Sequence, residues 1–199
     1  MTNISIDDIK RLRELTGVGI TDAKKALVET DGDFDKALEA MRKKGLTKAE
    51  KRGEREARAG VIGTYNHDSR IGVLVEVNCE TDFVARNEIF TDLVKDLSMH
   101  VAASAPQYIS EEDIPAQERD KVKAELSEKA KSEGKPAEML DKIVEGMMKK
   151  HFAERCLLDQ PFIKNPDQTV GQLVKEHIAK LGENIVVRRM SRFQLGEVE

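Results

Sequence analysis

The stretch Val73-Leu74-Val75-Glu76-Val77-Asn78-Cys79-Glu80-Thr81-Asp82-Phe83-Val84 decides the fold. Ile71, Val73, Val75 and Val77 recur with period two, the spacing of a half-buried strand. From Phe83 to Val101 the period changes to about 3.6, the spacing of a helix. Together the two patterns predict a rigid strand-to-helix corner near residues 79–83. Thr81 is the expected N-cap, which leaves Asp82 in the first turn, where a carboxylate meets free N–H groups and the positive end of the helix dipole. Two readings of Phe83 stand side by side. Phe83, Phe90, Val94, Leu97 and Val101 share one face if a single helix runs through them, which buries Phe83. Alternatively the corner holds Phe83 outward, towards a partner.

The segment Cys79-Glu80-Thr81-Asp82-Phe83-Val84-Ala85, preceded by Glu76-Val77-Asn78, resembles the signature of elongation factor Ts, the bacterial and organellar nucleotide-exchange factor of elongation factor Tu. Three more blocks follow the same family in the same order. Leu12-Arg13-Glu14-Leu15-Thr16-Gly17-Val18-Gly19-Ile20-Thr21-Asp22-Ala23-Lys24-Lys25-Ala26-Leu27 resembles its opening motif. Gln160-Pro161-Phe162 and Thr169-Val170-Gly171-Gln172-Leu173-Val174-Lys175-Glu176-His177 resemble its closing ones. The resemblance covers nearly the whole chain. It implies that Thr81, Asp82, Phe83 and Val84 meet the nucleotide domain of elongation factor Tu. It also implies that a ubiquitin-associated-like N-terminal module docks there through Arg13, Val18 and Ile20. Tyr65-Asn66-His67 resembles the family segment whose histidine contacts the partner's third domain. On chemistry alone Arg13 is equally a solvated charge, Val18 and Ile20 ordinary loop apolars, and His67 a surface histidine.

Composition narrows the function classes. The 199 residues exceed a typical single domain, so a medium domain plus a small one is expected. Aromatics make up 4% and tryptophan is absent, whereas charged residues make up 35%, so much of the helical surface is exposed. With 33 basic and 37 acidic side chains the net charge is −4, which argues against general binding to a phosphate backbone and for a protein partner. No apolar run is long enough to cross a bilayer, and the N-terminus lacks the order of a secretion signal; a soluble, cytoplasmic protein is expected. Cys79 and Cys156 stand far apart with no second member of a metal or redox pair, so reduced thiols are expected.

The reading predicts an α+β fold in five parts. Residues 1–45 form a three-helix module. Ser5 caps the first helix with Asp8 as a box-like partner, and Ile6, Ile9, Leu12 and Leu15 are its apolar face. Thr21 caps the second, and the third carries Phe34, Ala37, Leu38 and Met41 and ends at Gly45. Gly17-Val18-Gly19 follows a helix rather than a strand, so it is not a dinucleotide loop. Residues 46–59 form a polar helical linker in which Thr47 and Glu50 make a capping box. Residues 60–114 hold two strands, about Gly60–Asn66 and Arg70–Asn78, joined at His67-Asp68-Ser69, and a helix from Asp82 to about Ser104. Residues 115–155 form an antiparallel helical hairpin around Gly134-Lys135-Pro136, each arm reaching about 27 Å. In residues 156–199 a capping box of Thr169 and Gln172 starts a helix ending at Gly182, and Asn184–Phe193 is a third strand beside the hairpin.

No enzyme constellation survives inspection. His67, His100, His151 and His177 lack the HExxH spacing, no G-x-S-x-G elbow exists, and no phosphate loop is complete. No metal and no cofactor is expected. An RNA-binding adaptor using the basic residues of 42–58 is the rival reading, although acids are interleaved and no aromatic stands there for base stacking. A second rival is a docking module fused to a structural coiled coil. Longer members of the family have two related core halves whereas this chain has one, so resemblance to the short members implies a homodimer about a two-fold axis; a monomer with the hairpin folded over the sheet is the competing view.

Overall fold

The structure, a computed structural model, describes residues 4–197, and within them all side chains except those of Leu46, Lys48, Glu50 and Ala137. Helices α1 (Ile6–Thr16), α2 (Ile20–Glu29) and α3 (Phe34–Arg52) come first, followed by the hairpin strands β1 (Ala59–His67) and β2 (Ile71–Cys79). A single helical turn α4 (Asp82–Ala85) leads to α5 (Glu88–Ser104), then to α6 (Ala116–Ser132) and α7 (Leu140–Ala153). Two short strands, β3 (Pro161–Phe162) and β4 (Asn165–Thr169), precede α8 (Val170–Leu181) and β5 (Ile185–Gln194). The architecture is α+β, and the strand ends fall within a residue or so of the positions that alternation predicts.

α1, α2 and α3 close around Leu12, Ala23, Ala26, Leu27, Ala37 and Met41, with Val18 and Phe34 half-buried at the margin. Ser5 caps α1, its hydroxyl accepting the Asp8 N–H at 3.0 Å, and Gly17 ends it at φ 66°, a left-handed conformation that glycine adopts without a Cβ clash. The buried stripe is rotated from the expected one: Ile6 and Leu15 are exposed, and Thr16 is buried with its hydroxyl donating to the Leu12 carbonyl. Gly19, not Thr21, is the N-cap of α2, and Thr21 lies within the first turn.

α3 does not end at Gly45. It runs on to Arg52, and Thr47 is an interior helical residue whose hydroxyl donates to the Lys43 carbonyl at 3.1 Å instead of capping a new helix. The Glu50 side chain of the expected capping box lies outside the described residues. A glycine inside a helix costs about 1 kcal/mol relative to alanine. Packing offsets that cost: a Cβ on Gly45 would lie 3.3 Å from the Ala179 methyl of α8, and Ala49 one turn on is buried in the main core.

Strands β1, β2 and β5 form one antiparallel sheet with β2 in the centre. Asp68 and Ser69, at φ 50° and 57°, turn the three-residue β1–β2 loop, which the Arg70 N–H closes by donating to the His67 carbonyl at 2.9 Å. Val73, Val75 and Val77 face α5 and α8, against Phe90, Leu93, Val94, Leu97, Val170 and Val174. Gly63 lets α5 approach β1, since a Cβ there would stand 2.4 Å from the Ser98 hydroxyl and 2.5 Å from a Val94 methyl. On the other face Ile62, Leu74 and Phe193 are exposed, so among the described residues nothing covers these side chains on that side of the sheet.

α6 and α7 pack mainly on each other, with Val122, Ala130, Val144 and Phe152 buried. Their arms of 17 and 14 residues extend about 26 Å and 21 Å at 1.5 Å per residue. The second arm is shorter than expected because residues 137–139 form a 3-10 turn, which leaves Met139 exposed. Behind α5, buried His100 accepts the Ile163 N–H on Nδ1 at 3.3 Å and donates from Nε2 to Gln160 at 2.9 Å. The small β3–β4 hairpin that this bond tethers has no alternation to announce it in the sequence.

Candidate functional site

β2 ends at Cys79, and Glu80-Thr81 turns the chain into α4. Thr81 is extended, at φ −131° and ψ 153°, and its hydroxyl accepts the Val84 N–H at 3.4 Å, so it is the N-cap the sequence predicts. The helix it caps is one turn long. Asn87 caps a new helix, its side chain accepting the Ile89 N–H at 2.9 Å, and α5 starts one residue later. The expected continuous helix from Asp82 to Ser104 is therefore broken, and Phe83 does not belong to the stripe of Phe90, Val94, Leu97 and Val101. Phe83 is 83% exposed, while Val84 and Ala85 beside it are buried in the main core. Asp82 is exposed next to it, on a turn too short to carry the dipole of a long helix.

Three segments distant in sequence fix this corner. The Glu183 carboxylate accepts the N–H groups of Glu80 and Thr81 at 3.1 and 3.0 Å on one oxygen and the Thr81 hydroxyl at 2.7 Å on the other. In return the Glu80 carboxylate accepts the Asn184 N–H at 2.7 Å and lies 3.5 Å from the Arg55 guanidinium. The Asn184 amide donates to the carbonyls of Gly53 and Arg55 at 3.2 and 2.7 Å. Glu183, Asn184 and Arg55 read in the sequence as no more than a charge or a strand residue, because the partners of Glu183 lie 102 and 103 positions away. Cys79 below the corner is buried, which, with the nearby acids, pushes its thiol up to about 11 and keeps it protonated.

The other predicted contact residues lie elsewhere. Arg13 is exposed in the last turn of α1, Ile20 is 59% exposed at the start of α2, and Val18 between them is half-buried against the three-helix core. His67 stands at the tip of the β1–β2 hairpin, stacked on Tyr65 with ring centroids 6.1 Å apart. The hairpin tip and the Phe83 corner occupy opposite ends of β2, about 27 Å apart at 3.4 Å per residue. The sites are brought onto one molecule, not into one pocket, so anything that touches both must be large.

The basic residues of 42–58 are largely occupied. Lys43 pairs with Glu39 at 2.7 Å, Lys44 with Asp22 at 4.0 Å and Arg58 with Glu56 at 2.7 Å. Arg52 donates to the Ile178 carbonyl at the end of α8, and Arg55 faces Glu80. Among the described residues no group of His, Cys, Asp and Glu could hold a metal ion, and no helix is long and apolar enough to cross a membrane.

The family model described as Elongation factor TS matches residues 46–197, which hold the sheet, the Phe83 corner, the helical hairpin and the Glu183 contacts. The chain belongs to the elongation factor Ts family. It is 50% identical over 196 residues to "Elongation factor Ts" of Thermodesulfovibrio yellowstonii, covering 98% of each chain. It is 53% identical over 195 residues to the protein of that name from Moorella thermoacetica, covering 98% of this chain and 96% of the relative. With "Elongation factor Ts" of Caldanaerobacter subterraneus it shares 51% over 195 residues and 98% of each chain. These similarities to elongation factor Ts proteins reach beyond the residues matched by the family model, so they take in the N-terminal helices as well.

Proposed function

We propose that this protein is a guanine nucleotide exchange factor that binds elongation factor Tu and promotes release of GDP during translation elongation, in the cytoplasm and with no cofactor of its own. One observation carries the reading: a phenylalanine 83% exposed at a corner whose neighbouring residues are buried. Phe83 is the most exposed large apolar side chain among the described residues, on a turn that Val84 and Ala85 anchor in the core, and covering it with a partner removes that apolar area from water.

An exchange factor has to bind the nucleotide-free state of its partner more tightly than the nucleotide-bound state, because equal affinity for both shifts nothing. In this reading Phe83 wedges between side chains of the partner's nucleotide domain, and Asp82, with the backbone of Thr81 to Val84, disturbs the magnesium and phosphate site. Burying one phenylalanine contributes about 2–3 kcal/mol, or one to two decades in an equilibrium. Further contacts have to remain favourable when GDP has left. Residues 1–45, a ubiquitin-associated-like module, supply them through Arg13, Val18 and Ile20, and His67 supplies another to the third domain of the partner. The end of α3 and the non-helical turn that follows it join that module to the core of 60–114 and 156–199, from which the coiled-coil hairpin 115–155 projects. The separation of His67 from Phe83 fits a protein partner and no small ligand.

The uncovered sheet face fits the second part of the reading, a homodimer about a two-fold axis in which Ile62, Leu74 and Phe193 of two copies cover one another. Direct RNA binding is disfavoured, since most of the basic side chains between 42 and 58 already meet acids or carbonyls. Release of a fluorescent GDP analogue from elongation factor Tu tests the function. Saturable acceleration supports exchange, and RNA affinity that falls steeply with salt supports the adaptor instead.

A further inference from the structure

α4 is too short to hold its own orientation. One helical turn fixes several backbone dihedrals for a single hydrogen bond and is unfavourable in isolation, so the direction in which Phe83 points has to come from outside α4. Val84 and Ala85 anchor the inner side of the turn in the core, and Asn87 defines where the next helix starts. At the leading end the backbone leaves the sheet immediately after the last ladder pair, Cys79 with Ile185. Two consecutive N–H groups, of Glu80 and Thr81, then point to the same side and meet one carboxylate oxygen of Glu183, whose other oxygen takes the Thr81 hydroxyl.

We infer that Glu183 is a positioning residue for nucleotide exchange: its carboxylate locks the Glu80–Thr81 backbone so that Phe83 is held out in its binding direction before the partner arrives. The inference rests on the exchange reading above and adds to it a residue on another element, 100 positions away in the chain. Asn184 extends the lock. Its N–H closes the reciprocal bond to Glu80, and its amide holds the carbonyls of Gly53 and Arg55, where the chain leaves α3. The exit from the N-terminal helices and the Phe83 corner are thus tied to the same two residues, which keeps two docking points at a set spacing. A corner already ordered loses less freedom on binding than a loose one, and the difference appears in how well the wedge works rather than in whether the other contacts form.

The charge of Glu183 is not what the lock requires. A glutamine has the same shape, and its amide oxygen can accept both N–H groups while its NH2 donates to the Thr81 hydroxyl, which then serves as acceptor. An alanine leaves both N–H groups to solvent. The experiment measures release of a fluorescent GDP analogue from elongation factor Tu by the full-length parent, E183A, E183Q, F83A and the double variant F83A/E183A, over a range of exchange-factor concentrations. The expected result is a maximal release rate about tenfold lower for E183A at a half-saturating concentration within about twofold of the parent, with most of the loss restored in E183Q. In the F83A background, E183A is expected to change the rate less than about twofold, because its effect passes through Phe83. An equal effect of E183A with and without Phe83, or no effect in either, overturns the inference while leaving the exchange reading intact. If F83A itself matches the parent, the exchange reading falls and the inference with it. Amide hydrogen exchange in the free parent protein provides an arm that does not depend on how E183A folds: the Glu80 and Thr81 amides are expected to be protected, and exchange at the rate of open loop amides overturns the lock.

Discussion

Phe83 and Phe90 stand seven residues apart, the spacing that puts two side chains on one face of a helix, yet Phe83 is 83% exposed and Phe90 is fully buried. The break lies between them, at Asn87, whose side chain accepts the Ile89 N–H and starts α5 on a new axis. Phe90 is carried inward by α5, and Phe83 stays on the separate turn α4. Asn87→Ala removes that cap, and its expected cost is about 1 kcal/mol, read as a lower midpoint in denaturant unfolding. An unchanged midpoint would mean that the break is held by packing alone.

Leu74 lies at the centre of the uncovered sheet face, between Thr64 of β1 and Ser191 of β5. It is half-exposed, so Leu74→Glu leaves the monomer core intact. In a two-fold dimer the substitution brings like charges together in a covered face, at a cost of several kcal/mol. The expected outcome in light scattering is a dimer dissociation constant at least about 100-fold higher. A single-chain mass for the parent at all concentrations would remove the dimer.

His100 gives the fold an acid-side dependence. Burial holds its imidazole below the ordinary value of about 6.5, opposed by the bond to Gln160. The unfolded chain takes up the proton first as pH falls, so the contribution of His100 is full above about pH 6.5, is lost as pH drops towards its folded value and is flat below that. The loss amounts to at most about 1.4 kcal/mol per pH unit. Unfolding of the parent and of His100→Gln at pH 7.5 and 5.5 checks this. The parent is expected to lose more stability than the variant, which keeps a donor for Gln160 but does not titrate, and equal losses would assign the dependence elsewhere.

Arg13 and His67 are exposed and carry no packing of the main core. Arg13→Ala and His67→Ala are each expected to weaken association with elongation factor Tu about fivefold, or roughly 1 kcal/mol, while leaving unfolding unchanged. An unchanged dissociation constant for either would return that residue to the ordinary solvated surface.

The sequence made some of these features legible and hid others, for reasons of distance along the chain. The three strands of the sheet, the capping box of Thr169 and Gln172 and the glycine stop at Gly182 are written in residues a few positions apart, and the structure has them where the pattern puts them. Gly45 shows the opposite case: propensity marks a stop, but close packing on Ala179 and the burial of Ala49 carry α3 through it. At Phe83 the local period is compatible with burial and with exposure, and the deciding residue is a cap four positions on, Asn87, which the helical period alone does not mark. Glu183 could not be read at all, since its role exists only when β2 and β5 are side by side.

In the proposed function a held, exposed phenylalanine loosens the grip of a GTPase on its nucleotide. The most direct measurement is the rate of fluorescent GDP release from elongation factor Tu with saturating parent protein and with Phe83→Ala. Phe83→Ala is expected to fold as the parent does and to release GDP about 10- to 100-fold more slowly. Release as fast as with the parent would contradict it.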